Sequence, residues 1–446
     1  MARPAKLRLF DLTMIVVSLV IGMGIFRTPV TAAAKAGTPT IFFLAWITGG
    51  LIALCGALTY AEIGSRYPVT GGYFKIFSYG YHPSFAFAVN CIILVSNAAS
   101  TAAVGVIGAE YIGHFFYSGP VPATFKQLVT IGAVSIFYLV NLLGLRMSSR
   151  IQSMLTLIKI SLILLLIASL AGRHPLNLPA ASAPLSVNTG TAWGFLRALG
   201  ISLIAVSFTY GGYQQTINFG AEVDSPGRTI PKGIGFGVLI IILLYLSINF
   251  AYTQVIGFNN LRQADSIAAL LIRHLLGPGG EDILRILMFL SVLAYVNVLL
   301  MSNPRVMFAM SEEGILPSVF RRKTQKHGAI VYSLTAFSVA IILTLFFTST
   351  FEKILNYAIF LDSIGMATSA AALFMLRKRR VGEDREIFRS RLYPWSTLIF
   401  ILAYFLVAMS IVRDDPHSAL YGVLIFVGFF VLYFVRAAVY PRRAQT

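Results

Sequence analysis

The chain has 446 residues, of which 57% are hydrophobic and 12% charged, and this excludes the soluble globular class. Soluble domains carry about 45–50% apolar and about 25% charged residues. The net charge of +18 would suit nucleic acid, but the basic residues fall in short loops between apolar runs, with no interleaved stacking platform.

Apolar runs bounded by charge, Pro or Gly predict twelve spans. They fall at 10–34, 40–66, 84–116, 124–144, 150–171, 193–219, 230–257, 282–304, 329–349, 353–376, 393–413 and 418–440. Runs of this length in hydrocarbon must be helices, because every backbone polar group needs an internal partner. The expected class is therefore an all-α polytopic membrane protein. Arg3, Lys6 and Arg8 precede the first run, and no small-residue cleavage site follows, so it reads as a retained helix. Alternating the loops from a cytoplasmic N-terminus puts 24 Lys and Arg inside and 10 outside, with Lys159 inside a span. That bias places both termini in the cytoplasm of a cell with this protein in its cytoplasmic membrane, and a basic loop at 377–392 contributes most to it.

The first span contains Ile21-Gly22-Met23-Gly24-Ile25-Phe26, with Pro29 a turn later. The sixth contains Phe208-Thr209-Tyr210-Gly211-Gly212-Tyr213. Glycine disfavours a helix interior and permits unusual backbone angles. Small residues also serve close helix packing. Val17-Ser18 and Val206-Ser207 each precede their glycine at the same offset. Five spans, an odd number, separate the two copies, so they are expected to run in opposite directions. Paired interruptions of this kind point to a transporter site near the membrane midplane.

The fifth span carries Lys159 in Gln152…Thr156…Lys159. An ammonium at that depth is costly unless paired or neutral, and marks function by default. Arg27 in the first span and Asp362 in the tenth are opposite charges at membrane depth, which pair or line a wet cavity. Cys55 and Cys91 lie within apolar runs and read as small buried hydrophobes. His82, His114, His174, His274, His327 and His417 show no metal-ligand spacing, and no catalytic triad, phosphate loop or cofactor motif appears. Neither an enzyme nor a metal or cofactor site is expected.

Four segments together resemble the amino acid–polyamine–organocation (APC) transporters, in particular the bacterial relatives of L-type amino acid transporters. They are Ile21 to Phe26; Tyr60-Ala61-Glu62-Ile63-Gly64 through Pro68 to Gly71-Gly72-Tyr73; Gly220-Ala221-Glu222-Val223 through Pro226 and Arg228 to Pro231; and Asn303-Pro304-Arg305 through Glu313-Gly314 to Pro317. The resemblance implies a LeuT-type fold, five helices (1–171), an inverted five (193–376), then two more (393–440). It implies sodium-independent transport or exchange of L-amino acids by alternating access, with proton symport as the alternative and a non-transporting amino acid sensor as a further one. Met23 stands where the family often has serine, and Gly211-Gly212-Tyr213-Gln214 where L-type members often show S-G-W-N.

In such a fold the substrate carboxylate is held by the N–H groups of an outer half-helix, here Gly22, Met23 and Gly24. The ammonium is held by carbonyls, placed by the motif match at Val20, Phe208 and Gly211, with Ile21 and Gly212 in the same segments. Phe208 and Tyr210 are expected either to cover the substrate or to pack on neighbouring helices. Gln214 stands near where exchangers of basic substrates carry an acid, so neutral amino acids are expected. Lys159 is implied to occupy the place of a sodium ion, either as a fixed strut or as a titrating group. Arg27 and Asp362 are implied to form an outer gate. Glu62 and Glu222, at the cytoplasmic helix ends, are expected either to orient loops or to form inner-gate bonds with nearby basic residues. With no cysteine in an outer loop, no disulfide-linked heavy subunit is expected. The remaining partners are the amino acid and the lipid bilayer.

Overall fold

The computed structural model describes residues 6–171 and 191–439, apart from residues 265, 278 and 347. Of the residues singled out above, Arg3 and His174 lie outside the described residues. Sixteen α-helices and five 3-10 helices make up the described chain, with no strand among the described residues. Among the described residues, ten helices are long and apolar enough to cross a membrane. The two remaining predicted spans are present in shorter pieces. The first is Leu9–Val20, Met23–Phe26 and Thr28–Ala36, and the ninth is the 14-residue Val331–Thr344. The eleventh and twelfth spans, Trp395–Asp414 and Pro416–Val439, turn Leu402, Phe405, Leu424 and Val431 outward, about half exposed, as a lipid-facing surface requires. The chain is a polytopic membrane protein.

The structure differs from the hydropathy reading in two ways. The eighth span runs as one helix, Gly280–Glu312, eight residues past the expected end, with Pro304 inside it. Proline removes the donor to the Leu300 carbonyl, and the helix nonetheless continues through it, with the Arg305 side chain donating to the adjacent Met301 carbonyl and Asn303 to Leu299 at 3.0 Å. Short helices also occur where loops were expected, at Gly72–Gly80 and Ile267–Leu276. Both are too short to register as spans. The first nonetheless buries Tyr73, Phe74 and Phe77 in the core.

Packing separates the helices into two groups. The first, second, sixth and seventh spans pack on one another, and the third, fourth, eighth and ninth form a second set. The fifth span touches both, reaching the first on one side and the eighth on the other. Within the second set, a Cβ on Gly108 would lie 2.7 Å from Val292 Cγ1, so the glycine lets the Val292 side chain of the eighth span pack directly on the backbone of the third.

One end of the bundle is tied shut by ion pairs. Glu62 is fully buried and accepts from Arg66 Nε at 2.7 Å, Arg377 Nη2 at 2.6 Å and the backbone N–H of Ser390 at 2.9 Å. Arg377 also lies over the ring of Tyr393, 3.6 Å from its centroid. Glu222 pairs with Arg305 at 2.6 Å. Leu7 pairs its backbone with the strand-like residues after the sixth span, donating to Glu222 O at 2.8 Å and accepting from Asp224 N at 3.0 Å. The pairing expected for Glu62 and Glu222 is present.

Candidate functional site

Both predicted interruptions are present. The first helix ends where Ile21 turns extended, at φ −72° and ψ 92°, and Gly22 follows at φ −106° and ψ −157° before the 3-10 turn at Met23. The sixth ends at Thr209, and Gly212 takes φ 118° before the 3-10 turn Tyr213–Asn218. The half of the first span before its break packs on the part of the sixth after its break, and the two other halves pack together. That pairing requires the two helices to run in opposite directions, as the repeated pattern predicted.

The breaks meet at a cavity of about 410 Å³. Val20, Gly22, Met23 and Gly24 line it from the first span, and Phe208, Gly211 and Gly212 from the sixth. Ile21 and Tyr210 do not. Ile21 is fully buried with its carbonyl turned to Lys159, and Tyr210 sits behind the wall. The Tyr210 ring lies 5.1 Å from Tyr245 and edge-on to Trp46 at 5.9 Å, and its hydroxyl donates to Trp46 O at 3.3 Å. Of the two aromatic residues expected to cover a substrate, only Phe208 borders the cavity.

The backbone groups at the breaks are not all free. Gly22 N–H donates to Val20 O at 2.8 Å, and Val20 O also accepts from Tyr245 Oη at 3.3 Å. Both were expected to face a ligand, and a tight turn has used them instead. The 3-10 start leaves the N–H groups of Met23 and Gly24 without an intrahelical acceptor. Phe208 O accepts from Gly211 N–H at 3.2 Å, whereas the Gly211 carbonyl accepts no hydrogen bond among the described residues. A donor pair from one helix and a carbonyl from the other therefore remain at one cavity. This arrangement suits the two ends of a zwitterion.

Sequence reasoning singled out Gln214 and Asp362, which line the cavity from the sixth and tenth spans, but missed Asn97 and Ser100 from the third, Gln215 from the sixth and Tyr295 from the eighth. Asn97 donates to Asn303 Oδ1 at 2.7 Å, and Ser100 lies 2.9 Å from Tyr295 Oη. Polar residues three apart in an apolar run, Asn97 and Ser100, were the available signal. Asp362 forms no ion pair among the described residues. Arg27 is exposed and does not border the cavity. The gate expected between Arg27 and Asp362 is not closed here, because only one of its two members faces the cavity.

Lys159 lies behind the first break, fully buried. Its Nζ donates to Ile21 O at 2.6 Å and reaches Ser18 Oγ at 3.4 Å and Ser18 O at 3.5 Å. A chain of amides holds this corner. Gln152 Nε2 donates to Ser18 Oγ at 2.6 Å and Ala294 O at 3.1 Å, Asn297 donates to Gln152 Oε1 at 2.7 Å, and Asn141 donates to Asn297 Oδ1 at 3.0 Å. The first, fourth, fifth and eighth spans are thereby joined around the ammonium. Among the described residues, no group of three or more His, Cys, Asp or Glu is placed to hold a metal ion.

Comparison with known proteins agrees with this architecture. The chain is 28% identical over 428 residues to the serine/threonine exchanger SteT of Bacillus subtilis (strain 168), covering 94% of this chain and 93% of that protein. It is 25% identical over 424 residues to the human cystine/glutamate transporter, covering 92% of this chain and 81% of the relative. With the mouse b(0,+)-type amino acid transporter 1 it shares 24% over 433 residues, 94% of this chain and 85% of that one. The amino acid permease family model matches residues 7–435, from just before the first broken helix to the end of the twelfth, and the chain belongs to that family, within the APC superfamily.

Proposed function

We propose that this protein is a sodium-independent exchanger of neutral L-amino acids, working by alternating access. The observation that carries the reading is the pair of opposed, interrupted helices with free N–H groups at Met23 and Gly24 and a free carbonyl at Gly211 on one cavity. Val20, Ile21, Gly22, Met23, Gly24, Phe208, Gly211 and Gly212 form the binding region, with Tyr210 supporting it from behind. The rocking units are the two packed sets of helices, drawn from a first repeat at 1–171 and an inverted one at 193–376. Both termini lie in the cytoplasm, a sidedness supported by the 24 to 10 bias of Lys and Arg. Cys55 and Cys91 both sit in spans, which supports function without a disulfide-linked subunit. The neutral preference draws on Gln214 in the sixth-span break and on similarity to a serine/threonine exchanger.

Asp362 favours a second reading, proton-coupled symport. An unpaired carboxylate on the cavity wall at membrane depth is suited to accept a proton from the open side.

Counterflow in proteoliposomes with labelled neutral, acidic and basic amino acids tests both readings. Exchange of neutral substrates, indifferent to imposed proton and sodium gradients, is the expected result. Uphill uptake driven by a proton gradient in the native protein, and lost in Asp362→Asn, would select symport instead. Preference for lysine or arginine would assign Asp362 to the substrate side chain and overturn the neutral reading. Transport of no amino acid would sink the proposal.

Gly24→Val tests the site itself. A Cβ on Gly24 would already stand 3.3 Å from Thr209 Cγ2 and 3.4 Å from its Oγ1, and Thr209 donates to Thr28 at 2.8 Å. The branched side chain overfills this contact and crowds the N–H pair. Overpacking of about 1–3 kcal/mol corresponds to roughly a 5- to 150-fold loss of apparent substrate affinity, with membrane insertion retained. Unchanged affinity would show that the carboxylate does not bind there.

A further inference from the structure

A second pocket of about 550 Å³ opens at the end of the bundle that carries the start of the first and fifth helices. Lys6, Arg8, Arg146 and Arg150 line it against one carboxylate, Asp11. Asp11 is committed to its own helix, where it accepts from Arg8 N–H at 3.1 Å. None of the four cations forms an ion pair among the described residues.

Helix stability does not explain this placement. Arg146 and Arg150 are four residues apart on the first turns of Leu145–Ile167, so like charges face each other. They stand at a helix N-terminus, where unpaired N–H groups already make the field positive, and no acidic residue occupies that first turn. Each effect disfavours the arginines. An anion in the pocket reverses both.

Apolar groups border the same pocket. Phe10 is 54% exposed on its rim, beside Leu7 and Leu145. A free phosphate has no use for that surface, whereas a lipid places an acyl chain next to its headgroup. We propose that this pocket binds the phosphoryl headgroup of an anionic phospholipid, with an acyl chain along Phe10. The lipid bridges the first half-helix to the fifth span and holds them together at the level of the headgroups. This site is separate from the amino acid cavity.

The test uses the purified full chain in a neutral detergent. Thermal unfolding is followed while phosphatidylglycerol, phosphatidylcholine or inorganic phosphate is titrated, and retained lipid is counted by native mass spectrometry. Phosphatidylglycerol is expected to raise the unfolding temperature and to be retained, and phosphatidylcholine to do neither. Arg146→Gln with Arg150→Gln should weaken the phosphatidylglycerol response by about 30-fold. Arg146→Lys with Arg150→Lys keeps the charge that sets membrane orientation but loses the bidentate fork, so an intermediate response is expected. Equal responses in the native protein and the Gln variant would overturn the site and leave the arginines only an orienting role. A full response to inorganic phosphate alone would overturn the lipid assignment. If the Gln variant does not fold, a Lys variant that responds as the native protein does decides against the bidentate site.

Discussion

Gly212→Ala is expected to cut exchange severely and to lower the unfolding temperature, while Gly211→Ala, one residue earlier, is expected to leave the unfolding temperature nearly unchanged. Gly212 has φ 118°, a region that residues with a Cβ rarely enter. A Cβ there would stand 2.3 Å from Leu19 O and 2.8 Å from Leu19 C. These are backbone atoms of the last turn before the break in the first span, so no rotamer change relieves the overlap. The sixth-span break would have to withdraw from the first, and the cavity lies between them. Strain of this kind costs about 1–3 kcal/mol, so exchange is expected to fall by roughly 5- to 150-fold. At Gly211 the nearest atom to a new Cβ is Phe208 O at 3.4 Å, an ordinary contact. Exchange rates in proteoliposomes and unfolding temperatures in detergent, measured for both variants, check the contrast. Equal damage from the two substitutions would show that composition, not backbone approach, explains the glycine pair.

That contrast also marks how much of the site was legible in the sequence. The spans were readable because lipid admits only helices and their length is fixed by bilayer thickness. The breaks were readable because paired glycines stood in two otherwise apolar runs. Which backbone groups stay free was not readable. It depends on the turn at Gly22, which closes back onto Val20 O, and on Tyr245 reaching that carbonyl from the seventh span. Tyr210 shows the same limit. Its position in the broken segment suggested a cover, but a ring can leave a helix end in several directions, and Trp46 and Tyr245 provide a better apolar partner than the cavity. Asp362 was noticed as a charge at membrane depth and paired with Arg27, which stands exposed and away from the cavity in this conformation. Sequence gives the depth of Asp362 in the membrane, while the helix face it occupies is set by packing against the third and eleventh spans.

Lys159→Ala is the second substitution with a large expected effect. The ammonium donates to Ile21 O at 2.6 Å, the carbonyl freed where the first helix unwinds, and it lies within 3.5 Å of both oxygens of Ser18. Removing it leaves a buried carbonyl without a donor, which costs about 1–3 kcal/mol. The loss falls on the break itself, because Gln152 and Asn297 still hold Ser18 and the eighth span in place. The variant should therefore insert and fold, with exchange reduced roughly 5- to 150-fold. The space vacated is lined by three oxygens, the donor type that small hard cations take. Millimolar sodium is accordingly expected to restore part of the exchange in Lys159→Ala while leaving the native protein indifferent to its replacement by choline. The same variant separates the two roles open to the lysine. A titrating ammonium predicts that any proton-driven uptake disappears while residual exchange persists, and a fixed strut predicts that both fall together. Stimulation of the native protein by sodium would remove the ammonium from the place of the ion, and with it the sodium-independent mechanism.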